Sequence, residues 1–315
     1  MHPLVYHAGQ LEVQLEANTR HVADKLAGWV GPAGAYATEA DLLLLSFAAP
    51  GPGAPVLRLA AVSGAPPLVM QAGPARLELP ARVADVLSGD GEPELSVGGL
   101  AISFERAERA RINGSIVRRA GRLELVAEEA FTLCRKYLAP SVALEEGLLV
   151  GPRTRVPIAM DDPWVTSLVA GSETAFLASI SPSGAPDVAH RGGPAGFLEL
   201  DTDRKVIAWT EFVGDGVFKS AGNLRATGTA SLMVLDLATG DGLEVAGTAR
   251  YTNLLARFRP REEPLVRMPA AFPEQGRIEL EIGAVHRLHG LTHPRRRVAA
   301  RRVTSRDTPD EQAPR

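Results

Sequence analysis

Cysteine is almost absent from this sequence: Cys134 stands alone in 315 residues. A single thiol can form neither an intrachain disulfide nor a cysteine-based zinc or iron–sulfur site, and a reducing compartment suits such a chain. No run of about 18 consecutive apolar residues is present, so no membrane-spanning helix is expected. Met1 to Gln10 carries His2 and His7 where a secretory signal would carry a basic stretch followed by an apolar one. A cytoplasmic protein with no membrane partner is the expectation. An excess of positive charge is also lacking. Lys+Arg 34 against Asp+Glu 37, net −3, gives no field to neutralise a phosphate backbone, which argues against nucleic acid as a partner. Aromatics make up only 5%, so the cores must rest on Leu, Val and Ala.

What is abundant is turn chemistry, with Gly 31 and Pro 24. The length exceeds what one core usually fills, and two domains of roughly 150 residues are expected. In the first half, Leu42–Phe47, Val56–Val62, Leu77–Leu79, Leu95–Phe104, Ala110–Arg118 and Arg122–Ala127 read as short strands separated by turns. Val22, Leu26, Trp29 and Val30 fall at helical spacing, and Glu128–Leu138 reads as a helix closing this half. The second half opens on Asp162-Pro163, a cap followed by a first-turn proline, for a helix ending near Gly171. Strands are expected at Thr174–Ile180, Val206–Thr210, Ala230–Leu235, Leu243–Tyr251 and Arg277–Leu288, with a helix at Phe218–Ala226 and a loop at Pro264–Gln275.

The halves repeat one another in register. Leu43-Leu44-Leu45-Ser46 and Phe176-Leu177-Ala178-Ser179 lie 133 residues apart, as do Ile112-Asn113-Gly114-Ser115 and Val245-Ala246-Gly247-Thr248. Further on, Arg122-Leu123-Glu124-Leu125 is echoed by Arg277-Ile278-Glu279-Leu280. This common spacing reads as a duplication with a boundary near Gly151–Pro157. The divisions expected are 1–150, 151–293 and a disordered arginine-rich tail at 294–315, which holds Arg295, Arg296, Arg297, Arg301, Arg302 and Arg306.

Two stretches could carry chemistry. Ser181-Pro182-Ser183-Gly184-Ala185-Pro186-Asp187-Val188-Ala189-His190-Arg191-Gly192-Gly193-Pro194 joins two strands by a turn and presents His190 and Arg191 just before a glycine pair. Glycines there let the backbone approach a flat ligand, and a guanidinium can grip a phosphate by its fork; a plain hairpin with a solvated Arg191 is the alternative. Trp209 to Leu224 runs from a strand ending at Thr210 through a glycine-bearing loop to a helix start, where Lys219 and Ser220 could donate to an anion. A surface loop with a capped helix is the plainer reading.

Taken together, Ser181, Gly184, Pro186, Asp187, His190–Pro194, Gly214, Gly216, Phe218, Gly222, Asn223 and Leu224 resemble the pyridoxamine 5′-phosphate oxidase-like FMN-binding split-barrel superfamily. Asn113-Gly114, Glu129-Ala130-Phe131 and Cys134-Arg135-Lys136-Tyr137 are similar to a closing signature of the same superfamily. The resemblance implies a mainly β chain of two tandem split β-barrels, with flavin held between barrels, and a homodimer or an internal pseudo-dimer. It implies Arg191, Thr210, Lys219, Ser220 and Asn223 as phosphate and ribityl candidates, with Asp187, Val188 and His190 along the ring and Gly192 at the close approach. The first half has no counterpart of His190-Arg191-Gly192-Gly193 after Pro55, so it is expected to be a degenerate partner. Thr210 and Lys219 stand further apart than the family's clamp residues, which puts the phosphate grip in question.

The expected activity is that of an FMN-dependent oxidoreductase acting on a small molecule, with a separate reductase as an electron donor, and His190 as the group best suited to proton handling. Deazaflavin is compatible with the same fold. A haem-binding or haem-degrading barrel, drawing on His286, His289 or His293, and a non-catalytic flavin or small-ligand sensor stand beside it. His286 and His289 would point to opposite faces of a strand, which disfavours a metal site. Cys134 reads as a packed small hydrophobe, with an activated thiol beside Lys136 as the alternative, and Glu128 and Glu129 face different ways, so they are no catalytic pair.

Overall fold

The computed structural model describes residues 4–27, 33–51, 56–87, 94–254 and 272–298. Helices α1 (Ala8–Glu16), α2 (Arg20–Ala27) and α3 (Ala33–Thr38) lead into β1 (Leu42–Ala49), β2 (Val56–Ser63), β3 (Met70–Gly73), β4 (Arg76–Leu79), β5 (Glu94–Ser103), β6 (Glu108–Arg119) and β7 (Arg122–Thr132). Three short strands follow, β8 (Ser141–Ala143), β9 (Leu149–Gly151) and β10 (Thr154–Pro157). Then come α4 (Pro163–Gly171), β11 (Thr174–Ile180), β12 (Pro186–Gly192), β13 (Leu198–Asp201), β14 (Val206–Phe212), α5 (Lys219–Thr227), β15 (Thr229–Leu235), β16 (Gly242–Asn253), β17 (Glu274–His289) and β18 (Arg295–Arg297). The protein is mainly β with few helices, and one sheet is curled as a half-barrel.

The first sheet runs β3-β4-β7-β6-β5-β1-β2-β9, and the second, read from its β13 edge, runs β13-β14-β17-β16-β15-β11-β12. Apart from β9, the two sheets follow the same strand order. The correspondence reaches single residues. The ladder between β6 and β7 shifts register at Asn113/Gly114, and that between β16 and β17 shifts at Ala246/Gly247, the residues matched by the sequence spacing. A Cβ on Gly114 would collide with the Val126 carbonyl oxygen, and one on Gly247 with that of Glu281. Both bulges therefore demand glycine.

Burial on both faces explains the unbroken apolar run of β1. Leu43, Leu45 and Phe47 enter the core of the first sheet, while Leu42 and Leu44 enter a core shared between the sheets. β11 does the same, with Ala175 and Leu177 in the second core and Phe176 and Ala178 in the shared one. The chain ends cross over. Val13 of α1 belongs to the second core, and Gly9 and Gly222 let α1 lie against α5, with Gln14 Nε2 donating to the Val217 carbonyl at 2.8 Å. No element was expected at Ala8–Glu16.

Two expectations need correction. Glu128–Leu138 is not a helix: β7 continues to Thr132, and an irregular connection runs from Leu133. Residues of good helix propensity are held in the strand because Glu129, Ala130 and Phe131 pair with Asn113, Ile112 and Arg111 of β6, and ladder and core override propensity. Cys134 is accordingly on a connection and half-buried. The tail expected to be disordered from 294 onward begins as structure, since β18 pairs with β8. Arg295 is buried, ion-paired to Asp41 at 2.8 Å and stacked over Phe104 with its guanidinium 4.4 Å from the ring centroid. Arg301, Arg302 and Arg306 lie outside the described residues, as do Trp29, Val30 and most of the Pro264–Gln275 loop. The Asp162 cap is as read: its Oδ1 accepts from Trp164 N at 2.8 Å.

Candidate functional site

The richest cluster of functional side chains lies where the second sheet meets the start of β6 and the connection after β7. β12 contributes His190, Arg191 and Gly192, β14 contributes Thr210, Glu211 and Phe212, and α5 contributes Lys219 and Ser220. From the first half come Arg109, Arg111, Cys134, Lys136 and Tyr137. The cleft between them measures about 110 Å³. That suits a phosphate-sized group and is below the roughly 300–1,000 Å³ of pockets that enclose a drug-sized ligand.

Local backbone shapes the cleft. α5 follows Phe218, which holds φ 54° and gives no side-chain cap, and Lys219, Ser220 and Ala221 of its first turn line the cleft. Tyr137, at φ 64°, is a second non-glycine residue in the left-handed region, and both line the cleft. Tyr137 packs with Phe212 and Phe272 at centroid distances of 5.8 and 5.5 Å, and its hydroxyl donates to the Val213 carbonyl at 3.0 Å. Gly192 lies under Tyr137, where a Cβ would strike the Tyr137 carbonyl oxygen.

Most of the charges are already balanced. Arg191 Nε lies 2.7 Å from Glu211, Lys219 Nζ donates to Glu129 at 2.5 Å, and Ser220 Oγ donates to Asp187 at 3.1 Å. Asp187 also accepts from Asn113 at 3.0 Å and lies 3.2 Å from the Arg111 guanidinium. Asn223 does not line this cleft. It is buried, donates to Ser179 at 3.0 Å, accepts from His7 and Gln10, and borders a second cavity of about 460 Å³ with Asp187, Glu128, Glu129 and Lys219. Tyr6 lines that cavity, and burial with Glu129 and Asp215 nearby raises its hydroxyl pKa to about 12. The Val188 side chain is in the shared core.

His190 is half-buried, edge-on to Phe176 at 5.7 Å, and its Nδ1 accepts from Arg109. Burial first, and then the Arg109 and Arg191 charges, push its pKa well below the usual histidine value of 6.5. The ring is therefore neutral at neutral pH, with its proton on Nε2, so proton uptake there at neutral pH has no support. Sequence reasoning missed Arg109, Arg111, Glu129 and Glu211 as site residues. Their alternation along strands is all that marks them, and it says nothing of which partner sheet they will meet. Of the C-terminal histidines, His289 Nδ1 lies 3.0 Å from Asp241 and His293 lies 3.3 Å from Glu145. No group of three or more potential metal ligands occurs among the described residues.

The family model described as pyridoxamine 5′-phosphate oxidase matches residues 162–286, from the cap of α4 into β17. No curated protein matches the chain. Among solved structures, HupZ from Group A Streptococcus is similar at 15% identity and TM-score 0.28, over 40% of this chain and 93% of that one. A putative pyridoxamine 5′-phosphate oxidase from Lactobacillus delbrueckii matches at 19% identity and TM-score 0.27, over 38% and 87%. A pyridoxamine 5′-phosphate oxidase-related, FMN-binding protein from Nostoc punctiforme matches at 11% identity and TM-score 0.30, over 44% and 89%. Residues 162–286 are thus similar to the pyridoxamine 5′-phosphate oxidase family, over about two fifths of the chain. No helix among the described residues is long and apolar enough to cross a membrane.

Proposed function

We propose that this chain binds FMN in the cleft between its two sheets and serves as a flavin-dependent oxidoreductase on a small molecule, fed by a separate reductase. The observation that carries the reading is that the cleft's second-sheet wall lies wholly within the matched residues 162–286 and combines an uncapped helix start with Arg191, Lys219, Ser220 and the close approach at Gly192. These residues suit the phosphate end of a flavin. Thr210 stands at the same wall. Glu211, Glu129 and Asp187 hold the donors in place, and an incoming phosphate would share them. When bound, the flavin would supply the electron and hydride chemistry, and the protein supplies binding and exclusion of water. The cleft as it stands encloses only part of such a ligand.

The same reading takes residues 1–150 and 151–293 as duplicated split barrels forming an internal pseudo-dimer, with one flavin per chain. The shared strand order and the matched bulges support duplication. A non-catalytic flavin sensor is favoured by one observation, His190, whose lowered pKa and Nδ1 bond from Arg109 make it a poor proton acceptor at neutral pH. The deciding experiment is the absorption spectrum of the purified protein, alone and titrated with FMN, before and after dithionite. Bound flavin that bleaches and reoxidises supports the proposal, and turnover with an external reductase separates enzyme from sensor. A protein that neither carries nor takes up FMN overturns it.

A further inference from the structure

Three arginines are buried among the described residues: Arg109, Arg111 and Arg295, at 4, 4 and 5% exposure. Arg111 faces Asp187 and Arg295 faces Asp41. Arg109 has no carboxylate within ion-pair distance among the described residues. Its guanidinium donates to His190 Nδ1 and to the carbonyl oxygens of Cys134 and Lys136, the last at 2.8 Å, and its Nε has no partner. All three acceptors are neutral. Burying a guanidinium without a counter-charge is expensive, and protein carbonyls offset only part of that cost.

A second orphan lies beside it. Because Arg109 donates to Nδ1, His190 must carry its proton on Nε2, and Nε2 is buried with no acceptor. Arg109 and His190 line the same small cleft as Lys219, Ser220 and Ala221 at the uncapped start of α5. Asp215 also lines it, but its Oδ1 accepts from Val217 N, within its own turn. A buried cation and a buried N–H, neither held by a carboxylate, therefore meet the uncapped start of α5 in one space, with Asp215 the nearby negative charge acting on Arg109.

We infer that Arg109, contributed by the first half of the chain, is the anchor of an oxyanion site in this cleft, with His190 Nε2–H as its second donor. The ligand is a phosphate or carboxylate group of a size the 110 Å³ cleft admits. The site is composite, since neither sheet alone carries both Arg109 and the α5 start. It stands whether or not the ligand is a flavin. The anion could belong to a cofactor phosphate or to a substrate.

Inorganic phosphate is the probe. A ligand bound only by the folded state raises the unfolding midpoint with concentration. Phosphate is expected to raise the midpoint of the full chain above that in chloride of equal ionic strength, and Arg109→Gln is expected to weaken the effect at least tenfold in phosphate concentration. No rise in the wild type, or an equal rise in Arg109→Gln, overturns the site. Should that variant fail to fold, the His190 ring nitrogens of the wild type decide by NMR: phosphate must shift Nε2, and an unmoved resonance overturns the inference. Comparing FMN with riboflavin assigns the source. If Arg109→Gln removes a preference for FMN, the anion is the cofactor's phosphate; if it spares that preference while losing phosphate protection, the anion is the substrate's. A protein that ignores flavin yet is stabilised by phosphate refutes the flavin reading and leaves this one standing.

Discussion

The cleft beside β12 is open, whereas its counterpart beside β2 is closed. Ladder register carries the comparison down to single residues. Ser46 pairs with Leu59 where Ser179 pairs with Asp187, and Leu43 pairs with Val62 where Phe176 pairs with His190. Val62 and Ser63 thus stand where His190 and Arg191 stand in the second sheet. On the opposing sheet, Glu244 and Gly242 of β16 correspond to Arg111 and Arg109 of β6. Glu244 still reaches across to β2, accepting from Leu59 N at 3.3 Å, but it is held by Arg155. Leu291 lies against Gly242, Ser63 Oγ accepts from His293 N at 3.2 Å, and β9 pairs along β2. One framework thus supports a polar cleft on one side and a plugged core on the other, and the difference lies in a few side chains and two connecting segments. The first sheet takes part on both sides: β9 helps to cover β2, and β6 lends Arg109 and Arg111 to the cleft beside β12.

The sharpest way to break this asymmetry is Asp187→Ala, which strands the buried Arg111 guanidinium, removes the acceptor of Ser220 and leaves Asn113 with Glu129 alone. A loss of about 3–5 kcal/mol in urea unfolding is expected; a loss below about 1 kcal/mol would show that the cross-sheet network is slack. Leu291→Ala attacks the plugged side. Its fully buried side chain should cost about 2–5 kcal/mol, and phosphate stoichiometry should remain at one per chain, because Val62 and Ser63 offer no charge. A second equivalent bound by that variant would show the plug to be the only barrier.

The pH dependence separates the two sides next. An unfolded histidine takes up its proton near 6.5, while His190 in the fold does so only well below that value. The unfolded state then binds more protons, so stability falls as pH drops below 6.5, by up to about 1.4 kcal/mol per pH unit. His190→Gln should flatten this slope, and an unchanged slope would place the titration elsewhere. The smallest effects are expected where the sheets are alike. Arg122–Glu78 and Arg277–Glu199 are solvent-facing ion pairs at 2.7 and 2.8 Å, and alanine at either arginine should cost less than about 1 kcal/mol.

Strand positions were legible because their signals are local. β1 and β11 announce themselves as apolar runs, Asp162-Pro163 as a helix start, and the 133-residue spacing led to the matched bulges at Gly114 and Gly247. The stretch after Glu128 misled because its helix-forming residues are conscripted by β6 and the core. In the cleft, His190, Arg191, Lys219 and Ser220 were readable from turns and glycines and Thr210 from the family resemblance, and all five line one wall. Asn223 and Val188 face elsewhere, the former to the larger cavity and the latter into the shared core.

Sequence alone settles the β-rich class, since periodicity and turn residues act over a few residues, and it supplies the 133-residue spacing at which the two bulges recur. Only the tertiary structure decides that α1 rests on α5, that β9 and Leu291 fill one site, and that Arg109 and His190 meet 81 residues apart in the other. Those outcomes depend on which faces of two sheets are pressed together, and the cost of a buried charge or an unpaired donor exists only once that packing has excluded water.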